Sequence, residues 1–76
     1  MKSVQVSLNT INKVRSFVED ITEFEYDFDL VSEKYAIDAK SMLGIFSLDI
    51  TKPMCLNIKT DEENDKLISV LSVYMI

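Results

Sequence analysis

At 76 residues, with 47% hydrophobic and 28% charged positions, the chain has room for one globular domain, residues 1–76, built around one modest core. Its net charge of −5 comes with eight Lys and Arg scattered from Lys2 to Lys66, so no basic stripe exists to displace counterions from a phosphate backbone, and DNA or RNA is excluded as a partner. Without a histidine and with Cys55 as the lone cysteine, an internal disulfide and the common metal constellations drop out, and no cofactor is expected.

The first residues lack the apolar stretch of a signal peptide, and nowhere do 18 apolar residues run together, which predicts a cytoplasmic chain with no membrane span. Residues 3–8 then alternate. Val4, Val6 and Leu8 fall on one side and Ser3, Gln5 and Ser7 on the other, the period of a half-buried strand. After Thr10 the period changes: Ile11, Val14, Phe17, Val18 and Ile21 form one helical stripe, with Thr10 as the N-cap.

From Phe24 the period returns to two, with Phe24, Tyr26, Phe28 and Leu30 opposite Glu25, Asp27 and Asp29. A polar turn, Ser32-Glu33-Lys34, leads into a paired strand from Tyr35 to Ala39. The apolar but non-alternating segment from Ser41 to Leu48 predicts a short helix capped at Lys40-Ser41, and Asp49 to Pro53 a loop. Met54, Leu56 and Ile58 alternate with Cys55, Asn57 and Lys59 in a fourth strand. Thr60 and Glu63 have the spacing of a capping box, followed by a stripe of Leu67, Ile68, Leu71, Tyr74 and Met75.

The order β-α-β-β-α-β-α, with one apolar face per strand, predicts an α+β open-faced sandwich: helices cover one side of an antiparallel sheet. Gln5, Glu25, Asp27, Asp29, Asn57 and Lys59 are expected on the open side. The acidic stripe Glu25, Asp27 and Asp29 reads as a solvated face that discourages edge pairing; it lies on an open sheet, not in a cleft, and is neither an acid/base pair nor a calcium site.

This element order and the segment Ala39-Lys40-Ser41-Met42-Leu43-Gly44-Ile45-Phe46-Ser47-Leu48 resemble the bacterial histidine-containing phosphocarrier (HPr) family. The segment is similar to the Ala-Lys-Ser-Ile-Met-Gly stretch that opens the second helix in HPr proteins of Gram-positive bacteria. Phe17-Val18 matches the family's first helix without a gap. The resemblance implies a four-stranded sheet in the order 1-4-2-3 with three helices on one face.

The family's phosphoacceptor is a His in a Gly-Leu-His-x-Arg-Pro-Ala context. In this register its place is taken by Thr10, the Arg by Asn12 and the Pro by Lys13. An imidazole nitrogen accepts and releases phosphate readily, whereas a Thr phosphoester is too stable for fast relay, and the Arg that would neutralise the phosphate is missing. The chain is therefore expected not to relay phosphate. Thr10 and Asn12 remain either an ordinary cap or a weak anion site at a helix start.

Ser41 matches the Ser that a dedicated kinase phosphorylates in Gram-positive HPr proteins. The other reading of Ser41 is a plain N-cap. Met42, Leu43 and Phe46 match the apolar patch those proteins present to partners; at i, i+1 and i+4 they cannot all face inward on a short helix. With no nucleophile–base pair or metal cluster in view, an enzyme is not expected. The chain is similar to the catabolite-repression HPr paralogues, which lack the phosphoacceptor His and keep the regulatory Ser. That implies an interaction protein whose partner is an HPr kinase, a transcription regulator or an enzyme of the sugar phosphotransferase system. The alternative is a structural or assembly subunit of the same fold with no link to sugar transport.

Overall fold

Alternating apolar residues meet partners of the same period and form one sheet. The computed structural model describes residues 2–33 and 35–76. In chain order the elements are β1 (Lys2–Val6), α1 (Ile11–Thr22), β2 (Phe28–Ser32), β3 (Tyr35–Asp38), α2 (Met42–Phe46), β4 (Met54–Ile58) and α3 (Asp65–Leu71). All pairings are antiparallel and the sheet order is β1-β4-β2-β3, the order that the resemblance implies.

The register decides what each face carries. Val6, Met54, Leu56, Ile58, Phe28 and Leu30 point inward and are buried with Val14, Phe17, Val18 and Ile21 of α1, Ile45 of α2, and Leu67 and Leu71 of α3. Burial on this scale, at about 25 cal/mol per Å² of apolar surface, is the main source of stability. On the open face Gln5, Cys55, Val31 and Ala36 form one row across the four strands, and Ser3, Asn57, Asp29 and Asp38 the next. Asp29 and Asp38 are a like-charged cross-strand pair, a destabilising arrangement. The Lys59 ammonium relieves it at 2.9 Å from Asp29, and that carboxylate holds the lysine above its usual pKa.

Several boundaries depart from the sequence expectation. β1 ends at Val6 instead of Leu8, although Leu8 is still buried. Ile11 occupies the first helical position of α1 and is exposed, outside the buried stripe. β2 starts at Phe28, four residues after Phe24, because β4 ends opposite it: Ile58 pairs with Phe28, and the Thr60 amide then turns back onto the Ile58 carbonyl at 2.9 Å. Phe24 and Tyr26 pack at the core margin without a sheet partner, and Glu25 and Asp27 lie ahead of the sheet, not on its open face. The expected turn includes Lys34, which lies outside the described residues; Glu33 takes the left-handed conformation there (φ 53°).

The capping box at Thr60 does not form. Its amide is committed to Ile58, its hydroxyl accepts the Glu62 amide at 3.1 Å, and α3 starts only at Asp65. Asn64 is the cap, accepting the Leu67 amide at 3.0 Å while its own side-chain amide donates to the Tyr26 hydroxyl at 3.2 Å. α3 ends at Leu71, so Tyr74 and Met75 do not continue its stripe. Tyr74 is buried against Phe17, edge to face at 5.3 Å between ring centroids, and Met75 forms an antiparallel bridge with Val6. Ile68 and Met75 are partly exposed.

Candidate functional site

Ser41 is placed by the turn that ends β3. Asp38 organises that turn: its carboxylate accepts the Lys40 amide and its carbonyl the Ser41 amide, both at 2.9 Å. Between them Ala39 is buried, its amide donating to the Phe28 carbonyl at 3.0 Å. The chain is thus anchored to the sheet two residues before the side chain in question.

Ser41 leaves the turn in an extended conformation, and its hydroxyl accepts the Gly44 amide at 3.1 Å, capping α2. The helix then runs five residues, with Ile45 alone buried. Gly44 fits because its neighbours are close: a Cβ there would sit 3.2 Å from both the Ile37 Cδ1 and the Ser41 Oγ. That close approach seats α2 over β3.

Because Ile45 and the cap fix the helix phase, the three apolar neighbours separate. Met42 is half-buried at the core margin, Phe46 is 40% exposed and Leu43 86% exposed. The apolar surface beside Ser41 therefore consists of Leu43 and Phe46, with Met42 contributing an edge.

Lys40 is a residue to which sequence reasoning gave no role of its own. Its ammonium donates to the Phe24 carbonyl at 2.8 Å and lies 5.5 Å from the centroid of the Phe28 ring. It ties the segment before β2 to the Ser41 turn; a lysine beside a cap carries no sequence signal for such a reach. On the other side of α2, Asp49 accepts both the amide and the hydroxyl of Thr51, and these bonds hold its carboxyl below the usual range.

The second expected site is at the start of α1. Thr10 is exposed and accepts the Lys13 amide at 3.1 Å, which makes it a cap. Asn12 is exposed one residue into the helix. Among the described residues, neither side chain meets a base or a cation in a hydrogen bond.

A third place emerges only in three dimensions. Glu23, Phe24, Glu25, Tyr26, Asp27, Lys59, Glu62 and Asn64 line a wide open groove beside the sheet end, where the Tyr26 hydroxyl donates to Glu62 at 2.9 Å. Glu62 is 36 residues from Tyr26, so local sequence gives no sign of the contact. Among the described residues no group of three His, Cys, Asp or Glu side chains is arranged to hold a metal, and no helix is long and apolar enough to cross a membrane.

No family profile and no curated protein matches the sequence. Among solved structures, an HPr from Thermoanaerobacter tengcongensis (HPr-C-His) superposes with a TM-score of 0.77 at 22% identity, over 96% of this chain and 89% of that one. The fold is HPr-like.

Proposed function

We propose that this chain is a non-catalytic, HPr-like interaction protein that does not relay phosphate through histidine and is switched by phosphorylation of Ser41. The reading is carried by one juxtaposition: an exposed apolar pair, Leu43 and Phe46, next to a capping serine on a short helix. The absence of any histidine supports the first half of it. Thr10, in the place of the phosphoacceptor, is a cap without a base in hydrogen-bond contact.

In this reading Leu43 and Phe46 enter an apolar recess on a cytoplasmic protein partner, and Ser41 sits at the rim. A phosphate on Ser41 adds about −1.5 to −2 charge at that rim. Affinity then rises for a partner with an Arg there and falls for one with carboxylates. The partner classes are those named above, an HPr kinase, a transcription regulator or a phosphotransferase-system enzyme.

The test has two arms. Incubation with labelled phosphoenolpyruvate and the general phosphotransfer enzyme is expected to leave the chain unlabelled; acid-labile label would refute the first half. Calorimetric binding to an HPr kinase is expected to be lost in Leu43→Ser and Phe46→Ser, with both variants folded. Undiminished binding by both variants refutes the docking surface.

A further inference from the structure

Lys40 spends its charge on a neutral acceptor. Among the described residues no carboxylate forms a salt bridge with its ammonium, which donates to the Phe24 carbonyl at 2.8 Å and lies 5.5 Å from the centroid of the Phe28 ring. A phosphate would offer the same ammonium about −1.5 to −2 charge and three acceptor oxygens, and hydrogen bonds between ionised partners are the strong ones.

The carbonyl that Lys40 holds belongs to a segment with few other ties. Residues 24–27 precede β2 and pair with no strand. Their main chain is held at one end by the Phe24 amide on the Ile21 carbonyl, at 3.1 Å, and at the other by the Lys59 amide on the Asp27 carbonyl, at 2.9 Å. Among the described residues Lys40 is the one side chain that bonds this main chain, and it comes from the residue next to Ser41. The Phe24 and Tyr26 rings stack at 6.5 Å between centroids and line the open groove.

We infer that Lys40 couples Ser41 to this segment: a phosphate on Ser41 draws the Lys40 ammonium off the Phe24 carbonyl and releases residues 24–27 from the Ser41 turn. The inference rests on the proposed phosphorylation of Ser41 and adds its consequence inside the chain. A lysine carries its charge on a flexible four-carbon stem, so the ammonium can turn to a phosphate on the next residue while the backbone stays in place. The turn keeps its own bonds, the Lys40 amide on the Asp38 carboxylate and the Ala39 amide on the Phe28 carbonyl. Phosphorylation is then felt in two places, at the rim of the Leu43–Phe46 patch and at the aromatic wall of the groove.

Carbon and proton NMR of the full chain synthesised with phosphoserine at position 41 tests this, with the unmodified chain, Lys40→Met and Ser41→Ala as references. The Phe24 carbonyl resonance of the phosphoserine chain is expected to move to the position it holds in Lys40→Met. The Lys40 ε protons are expected to lose the ring-current shift that Phe28 imposes on them. Ser41→Ala, which removes the cap and adds no charge, is expected to leave both resonances where the unmodified chain has them. Phosphoserine combined with Lys40→Met is expected to move the Phe24 carbonyl no further. Unmoved Phe24 and Lys40 resonances in the phosphoserine chain overturn the inference, as does an equal Phe24 shift caused by Ser41→Ala, or by the phosphate when Lys40 is replaced. If Lys40→Met does not fold, the Lys40 ε protons of the phosphoserine and unmodified chains decide. Because the phosphoserine is built in during synthesis, a chain that no HPr kinase modifies contradicts the proposed switch and leaves this result standing.

Discussion

Ser41 and Gly44 are fitted to each other: the serine hydroxyl accepts the Gly44 amide at 3.1 Å and would lie 3.2 Å from a Cβ placed there. The serine is thus already an essential part of α2 before any modification. Ser41→Ala is expected to cost about 1 kcal/mol, the usual loss of a serine cap. Gly44→Ala gains helix propensity of about 1 kcal/mol but presses on both Ser41 and Ile37, so its net effect is expected to fall short of that gain. Urea denaturation of the two variants checks both values, and a full 1 kcal/mol stabilisation by Gly44→Ala contradicts the fit.

The start of α3 gives a second prediction. Asn64 accepts the Leu67 amide and binds Tyr26, whereas Thr60 holds only the Glu62 amide in an exposed turn. Asn64→Ala is expected to destabilise by about 1–2 kcal/mol and Thr60→Ala by no more than about 0.5 kcal/mol. Equal losses in chemical denaturation would restore the helix start to Thr60.

Tyr74 predicts a pH dependence. The residue is 5% exposed and its hydroxyl donates to Asp20 at 2.7 Å. Burial first, and the adjacent carboxylate second, raise its pKa from the ordinary 10 to about 12. The folded pKa lies above the unfolded one, so the contribution is fully present below pH 10 and is lost as pH rises through 12. Thermal melts of Tyr74→Phe are expected to show a shallower decline over that window than the native chain. Parallel declines would contradict the assignment.

How much of this was legible in the sequence depended on whether a pattern's partner was local. β4 follows its alternation throughout, with Met54, Leu56 and Ile58 buried, and Thr10 and Ser41 cap the helices that follow them. The sheet order came from the resemblance, not from periodicity. Phe24 and Tyr26 continue the alternation of β2 past the point where β4 supplies a partner, so their strand does not exist. Thr60 and Asn64 are both good caps by type; the choice between them rests on the Thr60 amide bonding Ile58, a contact local sequence does not reveal. Tyr74 and Met75 keep a helical spacing but are claimed by Asp20 and Val6, each more than fifty residues away in sequence. At the candidate site the sequence placed Ser41 and the apolar group together. Only packing separated the half-buried Met42 from the exposed Leu43.

In the proposed function Ser41 is a switch as well as a cap. The direct measurement is mass spectrometry of the chain after treatment with an HPr kinase, on the native sequence and on Ser41→Ala and Ser47→Ala. One phosphate is expected, on Ser41, in the native chain and in Ser47→Ala, and none in Ser41→Ala. A chain that takes up no phosphate, or carries it on another residue, contradicts the claim and leaves Ser41 as the cap of α2.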